Sequence, residues 1–261
     1  MNVWRLIISG KENPSINMGV DFALWKSVSE GKSPPVLRFY QWMPSSVSIG
    51  YNQKPEGLID IEFCKKNNIH CVKRPTGGSA IFHDIELTYS FSAATFHRTS
   101  FVFPLSSYIE ICKGIKTGIQ KYGINLQIRG FNEGKEPSYT KKDCFSLSSR
   151  HDLVFDGKKL VGSAQRRNKN SFLQHGSILI DIRKKIWEKV FIEKVDFSKI
   201  TYLKNLGVEV KLNELIEFLK DGFENVFEVK FQVDELTEQE KRESLKFAEK
   251  YFKNMIEQKL K

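Results

Sequence analysis

Asp156-Gly157 lies between two runs of alternating apolar residues, and this pair constrains the fold of the chain most tightly. Asp-Gly readily takes the two left-handed conformations of a two-residue turn, so DLVFDGKKLVGSAQR (152–166) reads as a β-hairpin. SFLQHGSILID (171–181), set off by Asn168-Lys169-Asn170, reads as a further strand. The centre of the chain is therefore a sheet, and the flanking segments must cover it.

Upstream, WRLIIS (4–9) has the pattern of a strand. Asn13-Pro14-Ser15 then opens a helix with Met18, Phe22 and Trp25 on one face. VLRFYQW (36–42) and SVSIGY (46–51) alternate like paired strands across Met43-Pro44-Ser45. A short helix is expected over 59–68, followed by strands at 70–74 and 86–93. Tyr108, Cys112, Ile115, Ile119 and Tyr122 recur at helical spacing and predict an amphipathic helix ended by Gly123. Cys112 on its apolar face is a buried small residue. The polar, turn-rich stretch 130–150 looks like a mobile loop.

Beyond residue 181 the pattern turns helical: a helix at 212–226, a strand EVKFQV (228–233), and a capping box at Thr237 and Glu240. The last helix carries Leu245, Ala248, Phe252, Ile256 and Leu260 on one stripe. No internal repeat or low-complexity tract occurs. The expected class is α+β, with mixed, largely antiparallel sheets flanked by helices. At 261 residues the chain is expected to be a single domain, with 182–261 its helix-rich C-terminal part.

The formal charge is +10, and it is unevenly placed: residues 1–181 hold 24 Lys+Arg against 15 Asp+Glu. Such a field favours acidic partners, or is merely solvating. A nucleic-acid module is not indicated, because helix-turn-helix, zinc-finger and RNP-type patterns are missing and the basic residues are spread rather than striped. No apolar run approaches the ~18 residues of a membrane span, and the N-terminal apolar segment is short for a signal peptide. Four scattered cysteines without a CxxC pair or His at zinc spacing point to a thiol-reduced, cytoplasmic protein with no metal site.

Three stretches could carry chemistry. In Lys73 to Ala80, the pair Gly77-Gly78 lets the backbone approach a ligand closely, but the Walker ending is missing; on pattern alone this is a tight turn before it is a ligand loop. His83, just beyond it, is by itself a hydrogen-bonded structural histidine before it is an acid or base. In Gly157 to Arg166, Lys159 is followed by Gly162-Ser163-Ala164, three residues with almost no bulk. A lysine held there could polarise a carbonyl or steady an anion, or be a surface lysine beside a tight strand crossing. Cys144 sits in the polar loop, with Lys141, Lys142 and Lys159 able to favour its thiolate, or it is incidental.

Three longer segments, RFYQWMPSSVSIGYNQ (38–53), KRPTGGSAIFHDIELTYSFS (73–92) and GKKLVGSAQRRNKNSFLQHGSILID (157–181), occur in the same order as in a known family. The chain resembles the lipoate–protein ligase and octanoyltransferase family, which is related to biotin–protein ligases. The resemblance implies a single ligase-type catalytic domain in which Lys159 contacts the acyl carbonyl or an acyl-adenylate. It also implies that Arg74, Thr76, Gly77, Gly78, Ser79 and His83, with Gly162, Ser163 and Ala164, line the acyl or nucleotide site. Cys144-Phe145, fifteen residues ahead of Lys159, is similar to the cysteine segment of the LipM-type octanoyltransferases. That likeness implies a cysteine acyl-enzyme that takes octanoate from octanoyl-acyl carrier protein. The acceptor would be a lysine of a lipoyl domain or glycine-cleavage H protein, with no cofactor. Ser79 departs from this branch, which carries a larger basic residue there; an ATP- and magnesium-dependent ligase is the alternative, with a lipoyl amidotransferase beside it.

Overall fold

A computed structural model describes residues 2–130 and 152–256. Cys144, Lys141, Lys142 and the polar stretch around them lie outside the described residues, as does Leu260. Among the described residues the strands are β1 (Val3–Glu12), β2 (Val36–Trp42), β3 (Ser46–Ile49), β4 (His70–Lys73), β5 (Ile81–His83) and β6 (Glu86–Ala94). They continue with β7 (Gln127–Ile128), β8 (Leu153–Phe155), β9 (Lys158–Arg167), β10 (Ser171–Leu179) and β11 (Lys230–Val233). The α-helices are α1 (Pro14–Ser29), α2 (Ile61–Lys66), α3 (Pro104–Gln120), α4 (Lys184–Val190), α5 (Leu212–Phe227) and α6 (Glu238–Tyr251). None is long and apolar enough to cross a membrane.

Eight strands form one sheet in the order β11-β1-β2-β6-β10-β9-β8-β7, and β4-β3-β5 form a second, smaller one. β1 runs parallel to both β11 and β2, whereas the ladders from β2 to β7 are antiparallel. The expected α+β class with mixed, largely antiparallel sheets is what the chain adopts. The hairpin turn falls at Asp156 and Gly157, with φ of 46° and 73°.

Alternation along the strands divides the large sheet into two faces. Trp4, Leu6, Phe39, Tyr89 and Phe91 pack with Ile111, Ile115, Phe223 and Phe227 of α3 and α5 in the largest apolar cluster. The opposite face turns Ile7 and Val36 toward Val20, Leu24 and Val28 of α1. This makes a three-layer arrangement, with α6 against α1.

Two expectations require correction. β2 and β3 do not pair: β2 lies between β1 and β6 in the large sheet, and β3 lies between β4 and β5 in the small one. Met43-Pro44-Ser45 carries the chain from one sheet to the other; alternation marks both segments as strands but says nothing of their partners. The last helix also differs, because it ends at Tyr251, and Phe252 and Ile256 are buried beyond it. Leu245 is 59% exposed, while Glu240, Ser244 and Ala248 face inward. The cause is a close helix crossing. A Cβ on Gly19 of α1 would sit 2.2 Å from the Ser244 carbonyl oxygen, so small residues occupy the contact face. The capping box at Thr237 and Glu240 is formed as expected.

Candidate functional site

Between the large sheet and the small one lies a cavity of about 310 Å³. Its walls come from β2 (Tyr40, Trp42), β3 (Ser48), the 74–80 turn, β5 (Ile81, His83), β9 and β10. A second, more apolar hollow of about 300 Å³ adjoins it, lined by Leu58, Phe82, Leu179, Trp187, Phe191 and Ile200 among others. Ser79, Ala80, Ile81, Lys159, Gly162 and Ser177 border both chambers.

β9 sets the shared wall. Register pairs Gly162 with Ser177 and Ser163 with Gly176, so the small residues of two strands face each other across the ladder. A Cβ on Gly162 would stand 2.6 Å from Lys159 Cε and 2.9 Å from Nζ, so the lysine folds back along its own strand over the space glycine leaves. Lys159 Nζ lies 3.0 Å from Asp152 Oδ2, and the lysine side chain keeps 38% of its surface exposed. Its carbonyl accepts from Thr201 N–H at 2.9 Å, which fixes the backbone beneath it.

Arg74 organises the glycine turn. Its guanidinium donates to the carbonyl oxygens of Ser48 (2.9 Å), Gly77 (2.6 Å) and Ser79 (2.8 Å). Burial draws its pKa down to about 10. The clamp presents Gly78 and Ser79 to the cavity, whereas Gly77 does not line it.

Two buried histidines, His83 and His175, form part of the cavity wall. His175 Nδ1 lies 3.0 Å from Asp21 Oδ2, and its Nε2 lies 2.6 Å from Thr76 Oγ1. Asp21 also accepts from Arg38 (2.8 Å), Tyr40 (2.8 Å) and Ser90 (2.8 Å). Burial alone would raise the Asp21 carboxyl, but hydrogen bonds and the Arg38 charge hold it below its ordinary value. Burial pushes His175 down despite Asp21, so a neutral ring donates from Nδ1 and accepts at Nε2. His83 lies 3.0 Å from Glu86 Oε1 through Nδ1 and 2.8 Å from Ser48 Oγ through Nε2. The Trp42 ring stacks on it at 4.0 Å and 13°.

Of the residues predicted from sequence, Arg74, Gly78, Ser79, His83, Lys159, Gly162, Ser163 and Ala164 line the first cavity together. Thr76 is fully buried behind the wall as the partner of His175. Asp152, His175, Ser48 and Glu86 were not singled out from sequence. The three described cysteines are all buried, and burial raises the Cys64 and Cys71 thiols to about 12 and lifts Cys112 as well.

Residues 13–224 match the lipoyl protein ligase A/B catalytic domain family. The octanoyltransferase LipM of Halalkalibacterium halodurans is 34% identical over 270 residues, spanning 97% of both chains. That of Bacillus subtilis is 36% identical over 254 residues, spanning 91% of both. Among solved structures, lipoate-protein ligase A bound with ATP superposes with a TM-score of 0.80 at 24% identity, covering 96% of this chain and 95% of the other. A bi-partite lipoate protein ligase from Thermoplasma acidophilum, described with its E2 lipoyl domain, gives 0.77 at 22% identity, with coverage of 96% and 93%. These two likenesses concern the fold.

Proposed function

Because the chain belongs to the lipoyl protein ligase A/B catalytic family and is similar along its length to curated octanoyltransferases, we propose that it moves an octanoyl group onto a protein lysine in lipoate biosynthesis. The observation that carries this reading is the position of Lys159 and Gly162 on the wall common to a polar cavity and an apolar hollow. An acyl chain lies in the apolar chamber with its carbonyl at Lys159. At about 0.8 kcal/mol per buried methylene, an eight-carbon chain gains on the order of 5 kcal/mol over a short acyl group, enough to select length.

The donor is octanoyl-acyl carrier protein. Cys144 thiolate attacks its thioester carbon, and the carrier thiol leaves. The amine of an acceptor lysine, on a lipoyl domain or glycine-cleavage H protein, then attacks the cysteine thioester. An amide forms, the C–S bond breaks, and Cys144 is returned as a thiol. Support for Cys144 comes from the other three cysteines, whose buried, raised thiols supply almost no thiolate at neutral pH. Lys159, oriented by Asp152, offers an ammonium to the thiolate and to the oxyanion of each tetrahedral intermediate. Thioester exchange is nearly balanced and amide formation is downhill, so the reaction needs no ATP and no metal.

The test is transfer of labelled octanoate to a lipoyl domain from two donors. Transfer from octanoyl-acyl carrier protein without nucleotide is the expected result. Transfer only from free octanoate with ATP and magnesium would make the enzyme a ligase.

A further inference from the structure

We propose that Ser48, His83 and Glu86 form a proton relay that deprotonates the attacking lysine amine, an assignment that rests on the acyl-transfer reading above. The transfer demands such a group. An acceptor lysine arrives as an ammonium ion, which has no lone pair to attack a thioester. Lys159 is a poor candidate for this proton, since its Nζ is engaged with Asp152 at 3.0 Å.

The donor and acceptor roles in the cluster follow from chemistry. Ionised Glu86 can only accept, so His83 donates to it from Nδ1 across 3.0 Å. That leaves Nε2 as an acceptor, and the Ser48 hydroxyl donates to it across 2.8 Å. Arg74 Nη1 approaches the same Ser48 oxygen at 3.3 Å and steadies negative charge there. Trp42 stacks on the ring and fixes its plane. Ser48 and His83 both line the cavity that Lys159 borders.

Glu86 has the capacity to hold the proton's charge. It is 1% exposed, and its Oε2 has no hydrogen-bond partner among the described residues. Its Oε1 receives Thr88 Oγ1 and the His83 ring, and no lysine or arginine among the described residues pairs with it. A buried carboxylate with no other cation is balanced when the ring beside it becomes an imidazolium. The second histidine lacks this property. Asp21 behind His175 is already neutralised by Arg38, and Thr76 at the other end of that chain does not line the cavity.

In the step itself, the Ser48 oxygen takes one proton from the acceptor ammonium while its own proton passes to His83 Nε2. The freed lone pair forms the C–N bond and the C–S bond breaks. The second N–H proton reaches the departing thiolate, and His83 later returns its proton to water.

Single-turnover transfer to two acceptors tests the relay. A lipoyl-domain lysine needs deprotonation, whereas methoxyamine is weakly basic and already unprotonated at neutral pH. Ser48→Ala and His83→Gln are expected to slow transfer to the lysine by about 10²–10⁴-fold, the usual worth of general base catalysis, while most of the transfer to methoxyamine survives. Equal losses with both acceptors, or unchanged transfer to the lysine, would overturn the relay. If wild type transfers to neither acceptor, the acyl-transfer reading falls and takes the relay with it. Thermal melts of both variants separate misfolding from chemistry.

Discussion

Lys159 and Gly162 lie three positions apart on β9, and the lysine's place depends on the hydrogen that glycine has in place of a side chain. Gly162→Ala puts a methyl 2.6 Å from Lys159 Cε, at the far end of a flexible side chain that can swing aside. The fold should therefore tolerate the change, with a melting temperature close to wild type, while octanoyl transfer falls at least tenfold because the ammonium no longer meets the carbonyl. Full activity would show that the lysine's path does not matter, and loss of fold would show that the side chain cannot swing aside. The sequence made this pair legible because both residues belong to one short motif. Asp152, Glu86 and Ser48 were not legible in the same way. A carboxylate or hydroxyl acquires its partner through strand register and sheet-to-sheet packing, and no local spacing announces that partner.

Between elements, a dense polar junction forms at Asp21 of α1, which receives Arg38 and Tyr40 from β2, Ser90 from β6 and His175 from β10. Its titration couples to stability with a definite sign. The folded His175 binds protons more weakly than an exposed histidine, whose pKa is about 6.5. The unfolded chain therefore takes up more protons below that pH, and stability falls as the solution is acidified. Asp21, held below its ordinary value, adds a further loss at lower pH, as it is protonated. His97, also lowered by burial, acts in the same direction as His175. Urea melts between pH 7 and 5 are expected to show stability falling for wild type and a shallower fall for His175→Gln, shallower still when His97→Gln is added. An identical slope in the His175 variant would mean that the ring is not held neutral. Most elements could be placed from period and turn chemistry, the 156–157 hairpin and the Thr237 box best of all. The partners of β2 and β3 are not written in their sequence, because three connecting residues can close a hairpin or pass a chain between sheets, and alternation looks the same in both.

On the scale of the whole molecule, the excess of positive charge in residues 1–181 belongs to the part that builds the cavity. An acidic carrier or acceptor approaching that part is steered by it, and added salt screens the field over about 10 Å at 0.1 M. Transfer at low donor concentration should therefore slow as salt rises, while the rate at saturation changes little; salt-independent kinetics would remove charge from the account. The central claim, however, is covalent. The decisive measurement is the intact mass of the protein after mixing with octanoyl-acyl carrier protein, without ATP or metal, beside Cys144→Ser. The account predicts one added octanoyl group on wild type, removed by hydroxylamine, and none on the variant. An unmodified wild type, or an adduct that persists on Cys144→Ser, would contradict it.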